Sequence, residues 1–244
     1  MFIGKCYNRL MQEDVQINNL RSKEMQEKGI RNMVSVSEEY VILQWALGEA
    51  RNPKWKRREQ DLSERLRKKI HTLSPVNFEN QLSKEERENI ANGFFKDNTR
   101  TVVKKILQMK CSWYKGFLPI EELENLYMVM WPLSEKLSPS AKLSEYSNAF
   151  VAGKFPSDAT MDFENIQRMR ETFDPSQMIG APVLLSQSNR PPFCAIDGIT
   201  RLSVMQMKLK EGSLSTNDIP IILGISDNIF DWDQIPRQMK NSIA

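Results

Sequence analysis

Apolar and polar positions follow two different rhythms along the chain. From Ser37, the stretch SEEYVILQWALGEAR opens with a serine and two glutamates, an N-cap with an acidic first turn, and continues through Val41, Leu43, Trp45 and Leu47. This predicts a buried helix ending near Gly48 to Pro53. Leu62, Leu66 and Ile70 then stand at i, i+4 and i+8, which puts one apolar stripe on a charged helix. Leu73 to Gln81, with Pro75, reads as a loop. Ser83 and Glu86 have the capping-box spacing, and Ile90, Phe94 and Phe95 follow on the helix they would open. A further helix is predicted across Thr99 to Cys111. In WYKGFLPIEELENLYMVM, Trp113, Tyr114 and Phe117 precede a proline at a helix N1 position, and Leu123, Leu126, Tyr127 and Met130 fall in helical register.

Residues 12 to 33 carry too few apolar positions for a buried face and read as an arm or exposed helix. The polar stretch Ser138 to Ser147 marks a boundary or an elaborate loop. Beyond it the pattern turns α/β. Phe163, Ile166 and Met169 stripe a short helix, PVLLS (Pro182 to Ser186) reads as a strand, QSNRPP as a turn, and FCAI (Phe193 to Ile196) as a second strand. A helix carrying Leu202, Met205, Met207 and Leu209 follows and ends near Gly212. The continuous apolar run Ile219 to Ile225 is expected to be a strand buried on both faces. The tail from Phe230 fits no single pattern. The expected fold class is therefore α+β: an arm (1–36), a mostly helical module (37–147) and a small α/β domain (148–244).

Composition agrees with a globular chain: 244 residues, 40% hydrophobic and 27% charged, with a mean hydropathy of −0.50. No apolar run approaches the ~20 residues a membrane-spanning helix requires, and the N-terminus lacks a secretory apolar core. A cytoplasmic location and no membrane partner are expected. Cys6, Cys111 and Cys194 are widely separated and read as reduced thiols. A single histidine, His71, excludes a His-rich metal site. The net charge of +3 hides an asymmetry, because residues 1–150 carry the basic excess and residues 151–244 are slightly acidic.

The densest chemistry lies in Ile196-Asp197-Gly198-Ile199-Thr200-Arg201-Leu202. Gly198 permits close approach of backbone to a ligand. The amides of the next helical turn point into the same space with the positive end of the helix dipole. Arg201, one turn inside, could add a bidentate guanidinium to a phosphate or carboxylate. The same residues also fit a purely structural turn, in which Asp197 caps the helix and Arg201 pairs with it.

The order of PVLLS, FCAIDGITRL and IPIILGI, preceded by MDFENIQRMRETFDPSQMIGA, resembles the ParB/sulfiredoxin-like superfamily. In that family a strand-turn-strand leads into a D-G-x-x-R or G-x-x-R box, followed by an IPVxV-like strand. The resemblance covers about residues 150–226 and implies a nucleotide-binding domain. Gly198 and Arg201 would match the box glycine and the phosphate-contacting arginine, with Asp197 as leading acid and Ile199 and Thr200 completing the cofactor-binding turn. The implied cofactor is a nucleoside triphosphate, ATP or CTP, with Mg²⁺. NTP hydrolysis or phosphoryl transfer in a DNA-associated pathway would be the reaction. Ile199 and Thr200 depart from the polar or catalytic residues the family places there, so catalysis would fall to Asp197 and Arg201 with an acid such as Glu164.

A second feature is the stretch Arg51 to Lys69, with nine Lys and Arg against three acids and Trp55 among them. Lys54, Trp55, Lys56, Arg57 and Arg58 are candidate nucleic-acid contacts, the cations for phosphates and the indole for a base. Alternatively the stretch is a solvated helix face. A non-catalytic module that binds DNA, RNA or a protein partner through this region stands beside the nucleotide-dependent reading.

Overall fold

The computed structural model of the chain describes residues 29–50, 62–73, 78–94, 103, 105, 106, 108–156, 160–175, 178 and 180–242. Among the described residues six strands form one mixed sheet: β1 (Arg31–Ser35), β2 (Ser112–Pro119), β3 (Tyr127–Met128), β4 (Val183–Ser186), β5 (Cys194–Asp197) and β6 (Asp218–Ile225). Their spatial order is β1-β2-β6-β4-β5-β3. β6 runs antiparallel to β2 and parallel to β4, so the apolar run occupies the interior of the sheet. Alternation along it sends Ile222 to one core and Ile219, Ile221 and Leu223 to the other, as a strand covered on both faces requires.

The helices cover the two faces. On one side lie α1 (Glu38–Ala50), α2 (Glu64–Thr72) and α3 (Lys84–Phe94). Val41, Leu43, Trp45 and Leu47 of α1 are buried. Ser63 caps α2, accepting the Leu66 amide at 3.3 Å, and the stripe buries Leu66 and Ile70. The capping box forms as expected: the Ser83 amide donates to Glu86 and the Glu86 amide to the Ser83 hydroxyl, at 2.8 and 3.1 Å. Lys69 also binds Glu86, and these bonds hold its carboxyl below the usual carboxylate range. On the other side lie α4 (Pro132–Leu137), α5 (Leu143–Val151), α6 (Thr160–Thr172) and α7 (Ile199–Lys210), whose buried side chains form the second core. The unassigned tail supplies a 3₁₀ turn, Ile229–Asp231, and α8 (Arg237–Asn241), and buries Trp232 and Met239 against the first core.

The mixed fold class holds, but four element assignments change. Ser112–Pro119 is a strand inside the expected helical module, and the helical register expected from Leu123 to Met130 is instead a 3₁₀ turn, Ile120–Asn125, followed by β3. β2 pairs residue by residue with β6 from Ser112↔Ile225 to Pro119↔Asp218, and aromatic residues suit a pleated surface as well as a helix face. β1 lies within the expected arm, and α5 within the expected polar boundary. The sheet thus takes strands from both sides of residue 147, so residues 37–147 are not helical throughout.

A close approach fixes the register of this pairing. Trp113 stands opposite Gly224, and a Cβ on Gly224 would come within 2.6 Å of the Trp113 ring and 2.8 Å of Leu185 Cδ2. Gly224→Ala should therefore cost about 1–3 kcal/mol through overpacking, read as a lower urea midpoint with an unchanged slope. A midpoint equal to that of the parent would contradict this packing.

Candidate functional site

β5 delivers Asp197 to the sheet end with only 8% of its surface exposed. Gly198 then turns the chain with φ 75° and ψ 16°, a left-handed conformation glycine adopts without steric penalty, and opens α7 with no side-chain cap. The first helical bond of α7 runs from the Leu202 amide to the Gly198 carbonyl at 2.9 Å. The Ile199 and Thr200 amides precede this ladder, at the positive end of the helix dipole. Arg201 reaches back one turn, its Nη2 donating to Asp197 Oδ2 at 2.9 Å, with both side chains about nine-tenths buried.

The box is closed by two further segments. A Cβ on Gly198 would meet Pro182 Cβ at 2.9 Å and Arg201 Nη2 at 3.0 Å. Gly48, near the carboxyl end of α1, lies against the guanidinium: a Cβ there would stand 2.8 Å from Nη2 and 3.2 Å from Nη1. Gly180 packs directly on Gly48, since its Cβ would fall 2.4 Å from both Cα and N of that residue. One hydrogen-bonded side chain fixes this junction. Gln44 accepts the Ala181 amide through Oε1 at 3.0 Å and donates through Nε2 to the Tyr40 hydroxyl at 2.8 Å. Three glycines therefore bring α1, the 180–182 segment and the turn before α7 together around one arginine.

Burial raises the Asp197 carboxyl above its ordinary range, opposed by the Arg201 charge, the Gly198 amide and a hydrogen bond with Glu49. Asp197 and Glu49 thus lie within hydrogen-bonding reach of each other, an arrangement that favours retention of a proton on Asp197. Asp197 accepts hydrogen bonds from Gly198 and Arg201, so its oxygens are committed to the turn. The Cys194 thiol is buried in β5 and pushed up by desolvation, which removes its nucleophilic form. Cys111 is pushed up to about 11 by burial and the nearby Glu38 charge.

Of the residues singled out from sequence, Asp197, Gly198 and Arg201 come together, with Ile199 and Thr200 half-buried in the first turn of α7. Glu164 does not join them: it is exposed on α6 and is not among the groups that act on Asp197. Lys54, Trp55, Lys56, Arg57 and Arg58 lie outside the described residues. In the described part of the basic stretch, Lys68 pairs with Glu64 at 2.7 Å on an exposed face of α2, and Lys69 with Glu86 of α3 at 2.5 Å. Gly48, Glu49, Gly180 and Pro182 were not anticipated. A signal for one of them was present, since Tyr40, Gln44 and Gly48 repeat at four-residue spacing and interrupt an otherwise apolar helix. Among the described residues no cluster of His, Cys, Asp or Glu could hold a metal ion, and no helix is long and apolar enough to cross a membrane. Compared with known proteins, the chain matches no family model, no curated protein and no solved structure.

Proposed function

We propose that residues from about 150 to 226 are the ParB/sulfiredoxin-like part of this fold, which binds a nucleoside triphosphate, ATP or CTP with Mg²⁺, at the amino end of α7 and does not turn it over. The observation that carries this reading is the box itself: a left-handed Gly198, an uncapped helix start and an arginine one turn inside. The phosphates would take the Ile199 and Thr200 amides and share the Arg201 guanidinium with Asp197. Phosphoryl transfer would need a positioned base as well. The box acid is paired with Arg201, and Glu164 is not among the groups that act on it. A DNA-associated role through Lys54 to Arg58 is a separate proposal, which rests on the charge of that stretch alone.

Glu49 makes the site conditional. An incoming phosphate meets Asp197, with Glu49 hydrogen-bonded to it, against one arginine, so binding should strengthen as pH falls and Asp197 takes up a proton. Thermal-shift titration of ATP and CTP, each with Mg²⁺, tests the reading. A ligand at one hundred times its Kd should stabilise the folded chain by about 2.7 kcal/mol. Thr200→Asp places a carboxylate where helix stability tolerates it but a phosphate does not, and should abolish the shift. Glu49→Gln should enlarge it. No shift with either nucleotide, or an unaltered shift in Thr200→Asp, would refute the proposal.

A further inference from the structure

Beside the box, but not lined by any residue from Asp197 to Arg201, lies a cleft of about 800 Å³ bordered by α1, strands β1, β2 and β6, the segment before β4 and Met205 of α7. Its floor follows from strand register. Val34 pairs with Lys115 and Lys115 with Ile222, which makes one row across β1, β2 and β6, and Phe117 opposite Pro220 makes the next. α1 contributes Tyr40 to the wall and the segment before β4 contributes Met178. Gly180 lines the cleft and packs on Gly48, which in turn lies against Arg201.

Two properties of the lining point to a ligand. Val34 and Phe117 are 53% and 40% exposed, large apolar side chains left open to water on the cleft floor. Between them Lys115 is half-buried, its ammonium 5.4 Å from the centre of the Tyr40 ring, and it forms no ion pair with any described residue. The acids that line the cleft form no ion pair with it: Asp218 is paired with Arg31 at 3.2 Å, and Asp174 is exposed. A partly desolvated cation set in an apolar floor is matched by an anionic group carried on an apolar body. We infer that this cleft is a binding site for a small amphipathic anion, an aromatic or acyl carboxylate, with its charged group on Lys115 and its body over Val34, Phe117 and Met178. The site is independent of nucleotide binding at the box.

Two fluorescent probes of similar shape separate charge from apolar contact: 8-anilinonaphthalene-1-sulfonate, an anion, and N-phenyl-1-naphthylamine, which is neutral. The folded chain should bind both saturably at one site. Lys115→Met should weaken the sulfonate roughly tenfold, the worth of one charge-assisted contact, and leave the neutral probe within about twofold. Phe117→Ser should weaken both. Val151→Ser, at an exposed apolar position outside the cleft, should change neither. Absence of saturable sulfonate binding would overturn the inference. So would sulfonate affinity unchanged in Lys115→Met, or an equal loss in Val151→Ser, which would mean that the probe adheres to apolar surface in general.

Discussion

Arg201→Met should destabilise the chain by about 3 kcal/mol at pH 7, the scale expected when one partner of a buried ion pair is removed. The variant strands Asp197, a carboxylate 8% exposed whose remaining polar partners are the Gly198 amide and Glu49. The cost should depend on pH in a defined direction. Burial already raises this carboxyl, and loss of the guanidinium raises it further above the value of about 3.9 that an aspartate has in an unfolded chain. Between those two values the folded variant holds a proton that the unfolded chain has released, so its stability falls as pH rises. Urea unfolding should therefore show a smaller deficit at pH 5 than at pH 7. Adding Asp197→Asn should recover most of the loss, because a neutral amide can stay buried without the arginine. A pH-independent deficit, or no recovery in the double variant, would show that Arg201 acts through packing alone.

Gly180→Ala should be comparably severe for a different reason. Gly180 has φ +78°, and a Cβ there would lie 2.4 Å from two backbone atoms of Gly48, which cannot turn aside as a side chain can. Left-handed strain of about 1–2 kcal/mol and overpacking of about 1–3 kcal/mol act on the same atom. Gly153 and Gly212 provide the control, with φ +65° and +67° and open space around the added carbon. Alanine at either should cost only the strain, about 1–2 kcal/mol. The difference in unfolding free energy between Gly180→Ala and these two variants measures the contact between α1 and the segment before β4. Equal losses in all three would mean that the contact is not tight.

Where sequence and structure agree, a single local rule governs the element. The capping box at Ser83 and Glu86, the Leu66 and Ile70 stripe, and the apolar run of β6 each depend on residues a few positions apart. Where they differ, the partner is distant in sequence. Nothing within Ser112–Pro119 says that it will meet residues 218–225, and Trp113 is accommodated because Gly224 leaves room for its ring. The candidate site divides in the same way. Asp197, Gly198 and Arg201 lie within five residues, and their ion pair is an i,i+4 contact. The closure over them uses Gly48 and Gly180, 132 positions apart, whose small size is meaningful only once the backbones touch. The polar interruption of α1 by Tyr40, Gln44 and Gly48 was visible, but its target was not.

Nucleotide binding without turnover at the amino end of α7 is most directly tested by phosphorus NMR of CTP and of ATP, each with Mg²⁺ and the full chain, at pH 6 and pH 8. The β- and γ-phosphate resonances should shift and broaden on addition of protein, more at pH 6 than at pH 8, with no inorganic phosphate signal growing over time. Resonances unchanged with both nucleotides would contradict binding at the box, and a growing inorganic phosphate signal would contradict the absence of turnover.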